Sequence, residues 1–203
     1  MKLKTAQSLL YASRQTVRKY YKYVDTAFTT PVLSGDGLLG GYMFAVEGLS
    51  RGTNYAWHLF DGSTSTIFSP YNQNGAIGDT HLIMFNPDLL NITNLAMTNR
   101  SATSAAAVRA GDILVSNDNT TYTKITSFTN DVTSPLATWN IDLSSNTGFY
   151  NYYKIQFTVW DYNSTYARSL AEIDITATQR QVILSDESDY DYYEDVNAYM
   201  AVA

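Results

Sequence analysis

The sequence predicts an all-β protein, an antiparallel sandwich or barrel, and three observations carry that prediction. From Ala27 onward, short β-rich runs alternate with turn clusters: Gly35-Asp-Gly, Gly40-Gly, Asp61-Gly, Asn117-Asp-Asn, Asn130-Asp and Ser144-Ser-Asn. Near the end of this region Leu170, Glu172, Asp174 and Thr176 alternate with Ala171, Ile173, Ile175 and Ala177. Such period-two alternation buries one face of a strand and wets the other. Composition agrees, with 45% apolar and 16% charged residues in a chain of 203, enough for one packed domain with extensions.

The elements follow in order. Residues 5–23 combine helix formers with Leu9, Leu10 and Val17 and then a patch of Arg18-Lys-Tyr-Tyr-Lys-Tyr-Val24. Their periodicity is poor, so a short helix and an extended arm both fit. Strands are expected at 42–47, 81–85, 92–99, 112–116, 122–127, 137–143, 152–159 and 170–177. Residues 183–203 close the chain with an acidic, tyrosine-rich run and the mildly apolar Val196-Asn-Ala-Tyr-Met-Ala-Val-Ala, expected to pack on something. The predicted organisation is a basic arm, 1–24, a sandwich, 25–182, and an acidic tail, 183–203.

Charge and composition narrow the function. Cysteine is absent, which removes disulfides and thiolate metal sites. His58 and His81 are the two histidines, too few for most His-based zinc sites, and no G-x-S-x-G marks a serine nucleophile. A net charge of -6 disfavours nucleic acid as a partner. Charge is segregated: Lys2, Lys4, Arg14, Arg18, Lys19 and Lys22 lie in the first 24 residues, and Asp186, Glu187, Asp189, Asp191, Glu194 and Asp195 in the tail. The run Leu9-Leu-Tyr-Ala12 is too short for a secretory signal and no stretch suits a membrane span. A soluble chain, made in a host cytoplasm and not conventionally secreted, is the expectation.

Four segments share a resemblance. Asn54-Tyr-Ala-Trp-His-Leu-Phe-Asp-Gly-Ser-Thr-Ser-Thr-Ile-Phe68 resembles the signature of discoidin and coagulation-factor C-type domains, which the family-32 carbohydrate-binding modules share. Phe60, Asp61, Gly62, Ser63 and Thr66 keep the spacing, and Phe68 stands where the family has Trp. His81–Phe85 and Leu90–Arg100 resemble the central strands. Asp112–Ile125 resembles the "S-x-D-G/N-x-x-W/Y" hairpin, Tyr150–Phe157 the "Y-R-Y-Y-R-I" strand, and Ser169–Ile175 the closing "A-E-I" strand. The fold this resemblance implies is the galactose-binding-like jelly-roll β-sandwich.

The resemblance also implies a site. An Asp-Gly turn supplies hard oxygens of the kind calcium takes in sets of about six to eight, and a structural calcium is expected at Asp61, Thr66 and Glu172 by side chain and Ser63 through its backbone. In lectin-like relatives a rim loop holds sugar on an aromatic platform with polar groups. Here Trp160, Asp161, Tyr162, Tyr166 and Arg168 form the densest such set. An equally bland reading makes Trp160 and Tyr166 caps on the core. The His and paired Arg of fucose-binding relatives have no counterpart.

The expected function is non-catalytic. It is that of a virion structural or attachment protein, a phage tail or capsid-surface component carrying a carbohydrate-binding-like module. The alternative is a free-standing carbohydrate-binding module or lectin. Expected partners are other virion proteins and copies of the chain itself through the terminal arms, with a cell-surface glycan as ligand. Nucleic acid and membrane insertion are excluded, and no carboxylate pair is singled out for glycoside hydrolysis.

Overall fold

A computed structural model describes residues 13–34, 45–47, 55–69, 81–100, 107–160 and 169–200. Among these, nine strands run as β1 Ser13–Phe28, β2 Ala45–Glu47, β3 His81–Asn99, β4 Val108–Ser116, β5 Thr123–Thr129, β6 Thr138–Asp142, β7 Tyr150–Trp160, β8 Leu170–Ser185 and β9 Tyr192–Met200. A 3-10 helix, Ala56–Phe60, precedes the Asp61-Gly62 turn. The protein is all-β. Asp25–Arg180 form one compact unit; Met1–Val24 with Gln181–Ala203 form another.

The larger unit is built around β3. Its first part pairs with β7 on one side (Leu82↔Ile155) and β2 on the other (Met84↔Val46). Its second part pairs with β8 (Leu95↔Ile175) and β6 (Leu95↔Ile141). One strand therefore serves two layers: β5-β4-β7-β3-β2, and β6-β3-β8 with the adjoining end of β1. Strands that switch layers do so at bulges or bends, and the register of β3 shifts between Phe85 and Leu90. The intervening Asn86-Pro-Asp-Leu has a practical cause for its break, since Pro87 has no N–H to give to a ladder.

Side chains hold this crossing. Asn151 Nδ2 donates to the carbonyls of Asn86 and Pro87, both at 3.0 Å. The buried Tyr153 hydroxyl donates to Leu90 O at 2.9 Å and accepts from Ile92 N at 3.1 Å. Burial pushes that phenol up to about 12, so it stays protonated and keeps donating. Between the layers lie Leu82, Met84, Ile92, Leu95, Met97, Ile113, Ile155, Phe157, Ile173 and Ile175, all buried.

The expected alternation in β8 holds: Ala171, Ile173, Ile175 and Ala177 are buried while Asp174 and Thr176 are exposed. Leu170 departs from it and is fully buried, because the register slips between Thr98 and Asn99 and Leu170 bridges to Phe68. The strands expected separately at 81–85 and 92–99 are one, joined through the bulge. β8 also runs to Ser185, well past residue 177.

The smaller unit decides between the helix and the extended arm: from Ser13 the arm is a strand. It pairs antiparallel with the tail strand β9, Ser13↔Met200 through Tyr21↔Tyr192. Arg18 Nε lies 3.1 Å from Asp195 Oδ1 and Lys22 Nζ 2.6 Å from Asp189 Oδ2. Tyr21 stacks on Tyr192 at 5.0 Å, and the Arg18 guanidinium sits 4.2 Å above the Tyr193 ring. The basic arm and acidic tail, expected from the sequence to reach for other molecules, pair with each other.

Candidate functional site

The Asp61 turn is set by its approach. The 3-10 helix buries Ala56, Leu59 and Phe60 against the core, which fixes where the next residue emerges. Gly62 then adopts φ +72, a left-handed conformation that favours glycine. The space around it is open: a Cβ at this position would meet nothing closer than Val32 Cγ2 at 4.0 Å. Backbone conformation and not crowding selects glycine here.

Hydrogen bonds close the loop on itself. Asp61 Oδ1 accepts from Ser63 N at 2.9 Å. The Thr66 hydroxyl lies 2.6 Å from Asp61 Oδ2 and 2.8 Å from Ser63 O, two acceptors for its single proton. His58 Nδ1 lies 3.0 Å from Ile67 O. Phe68 and Leu170 then exchange both backbone hydrogen bonds, at 2.9 and 3.0 Å, and bring the loop to the start of β8.

Two residues into β8, Glu172 meets the turn. Its Oε1 accepts from Gly62 N at 3.1 Å. Its Oε2 is buried and has no hydrogen-bond partner among the described residues. Burial raises the Glu172 carboxyl to about 7, with the Gly62 and Ser63 N–H groups opposing the rise and the negative charges of Asp61 and Asp174 adding to it. A half-buried carboxylate with a bare oxygen beside a second carboxylate costs free energy unless a cation or proton joins it.

Asp61, Ser63, Thr66 and Glu172 are thus brought together. The described residues contain no group of three or more His, Cys, Asp or Glu side chains able to hold a metal. Carboxylates alone therefore do not complete a shell. The donors present are two carboxylates, a hydroxyl and the Ser63 carbonyl, all hard oxygens of the type calcium selects, and the orphaned Glu172 oxygen is the atom a cation would satisfy. The residues fit the ion. The contact that ties turn to strand, the Gly62 N–H, was not expected from the sequence, since a backbone donor leaves no residue-type signal.

Of the predicted rim set, one residue falls within a described strand. Trp160 ends β7; Asp161, Tyr162, Tyr166 and Arg168 lie outside the described residues. Elsewhere, the β6–β7 connection forms a recess of about 310 Å³ lined by Ile125, Thr126, Leu143, Ser145, Thr147 and Tyr150, among others. It presents hydroxyls and an aromatic ring and no charge. Asn91 Nδ2 steadies it by donating to the carbonyls of Asn146 and Gly148 at 2.9 and 2.7 Å.

No protein-family model and no curated protein sequence matches the chain. Solved structures do. A family-32 carbohydrate-binding module, the third in a family 31 glycoside hydrolase of Clostridium perfringens, superposes with a TM-score of 0.52 at 20% identity, covering 64% of this chain and 90% of that one. The family-32 module of C. perfringens NanJ, solved with galactose, gives 0.52 at 13% identity over 75% and 99%. An F5/8 type C domain from Bacteroides fragilis gives 0.53 at 14% identity over 66% and 90%. The fold is the discoidin-like β-sandwich of carbohydrate-binding modules.

Proposed function

We propose that this chain is a non-catalytic carbohydrate-binding module in which the Asp61–Glu172 corner is a structural calcium site. The observation that carries the first part is the fold, since similar sandwiches have been solved with galactose and with GalNAc. The second part is supported by the buried, unpartnered Glu172 oxygen facing the Asp61 turn. Asp61, Thr66 and Glu172 would hold the ion by side chain and Ser63 by its carbonyl. When bound, calcium neutralises the two carboxylates and pins the loop to β8.

Sugar recognition falls to the segment that begins at Trp160, where aromatic and polar residues alternate with Asp161, Tyr162, Tyr166 and Arg168. Stacking suits carbohydrate because the C–H faces of a pyranose are apolar while its hydroxyl rim needs donors and acceptors. A glycan array probed with the full chain should give saturable binding that Trp160→Ala abolishes. Binding that survives Trp160→Ala but is lost in Thr126→Trp, which fills the recess by Tyr150, would move the site there. An array silent for the wild type defeats the reading.

A second reading, favoured by the paired basic and acidic ends of the chain, makes this module part of a virion attachment structure. An isolated module sediments as a monomer, whereas a component of a repeating assembly does not.

A further inference from the structure

Among its described residues, the unit formed by the two ends of the chain has no buried apolar core of the kind that normally stabilises a small sheet. Two-stranded ribbons are marginal in water without a covering layer. On one face of this ribbon lie the pairs Val17/Val196, Lys19/Glu194 and Tyr21/Tyr192; on the other lie Arg18/Asp195 and Tyr20/Tyr193. Apolar groups on it stay open to solvent, with Val17 40%, Tyr190 43%, Tyr193 47% and Leu184 68% exposed.

Among the described residues, both edges of the ribbon along Ser13–Lys19 lack a strand partner as well. β9 ends the sheet order, so its outer edge faces no strand among the described residues. On the far side of β1, the neighbouring β8 stops at Ser185. By Glu187 the chain is hydrogen-bonded to the Tyr20 side chain, and Asp191 N donates to Tyr21 O as the chain enters β9. Among the described residues, Ser13–Lys19 therefore have β9 as their strand partner and a free edge opposite. Unprotected edges invite another strand.

The two edges differ in sign. Arg18, Lys19 and Lys22 sit on β1, and Asp191, Glu194 and Asp195 lie on or beside β9. Two β9 edges facing each other would set acid against acid, and two β1 edges base against base. Only β1 against β9 is complementary. We infer that this ribbon is a self-association surface on which the β1 edge of one copy pairs with the β9 edge of the next. In the register already present within the chain, Arg18 and Lys19 of the incoming copy lie beside Asp195 and Glu194. The charges then alternate across the extended sheet, and neighbouring charged and aromatic cross-strand pairs reinforce one another. The contact joins two different edges, so each added copy leaves one edge of each kind free. Growth goes past a dimer, to a ring or a fibre. Neither glycan nor calcium is required.

Sedimentation velocity of the full chain over rising concentration, at low salt and at about 1 M NaCl where surface charge is screened, tests this. The wild type should assemble beyond a dimer at low salt and dissociate at high salt. Arg18→Glu/Lys19→Glu and Glu194→Lys/Asp195→Lys should each be monomeric alone and associate when mixed. The chain carrying all four changes keeps its internal ion pairs, so it should fold, assemble with itself and stay separate from wild type. A wild type that remains monomeric, stops at a dimer or ignores salt overturns the proposal, as does a mixture of the two double variants that fails to associate.

Discussion

At the scale of single residues, Glu172 is the side chain whose surroundings ask most of it. Its carboxyl titrates near 7 against an ordinary 4.5, chiefly through burial. Without metal, the folded chain therefore holds a proton between those values that the unfolded chain has released. The folded state binds more protons there, so stability falls as pH rises from about 4.5 to 7. A bound dication favours the ionised form and reverses the penalty, and a ligand that binds only the folded state stabilises it by mass action. Calcium should raise the melting temperature at pH 7.5 and raise it far less at pH 5. In EGTA, the wild type should melt higher at pH 5 than at pH 7.5. Glu172→Gln should remove the calcium response and that part of the pH dependence; a variant that keeps both would place the ion elsewhere. As candidates, Asp61 and Thr66 came from their spacing in the Asp-Gly turn, and Glu172 only through the family resemblance of the closing strand. What joins them, a glycine N–H held at φ +72, was legible only as a turn.

Among the elements, β4 is the most sterically constrained by a single position. A Cβ on Gly111 would lie 2.5 Å from Gln156 O and 2.6 Å from the Phe128 ring. The first is backbone of β7 and cannot swing aside. Gly111→Ala should destabilise the sandwich by about 1–3 kcal/mol, the usual cost of overpacking, read as a lower urea midpoint with unchanged slope. An unchanged midpoint would mean that β4 can slide at the bulges flanking this residue. Element type was readable where period two was strong, as in β8. Extents were not. The strands expected separately at 81–85 and 92–99 are one, carried through Asn86-Pro-Asp by side-chain amides and the Tyr153 hydroxyl. The arm gave no clear period because, among its described side chains, neither face of the strand is buried and neither must be apolar.

For the molecule as a whole, the division between units is one of burial. Asp25–Arg180 contain the apolar core, and the other unit has none among its described residues. Sheets without a core open locally at little cost. Hydrogen exchange on dilute protein at high salt should therefore find amides of β3 and β7 slower than those of Ser13–Tyr20 and β9 by about 100-fold or more. Equal protection in both would show the ribbon to be as cooperative as the sandwich. That the two ends pair was foreshadowed by opposite charge at the termini. That they pair within one chain was not, because charge alone does not distinguish a neighbour from oneself.

The crossing of β3 between layers has a mechanical corollary. In a sandwich whose sheets share no strand, one sheet can peel away and leave the other standing. Here His81–Phe85 and Leu90–Asn99 are one continuous backbone, so pulling on either layer loads the other through the Asn86–Leu89 bend. Rupture under force should come in a single step, with the Tyr153 hydroxyl acting as the clasp at the bend.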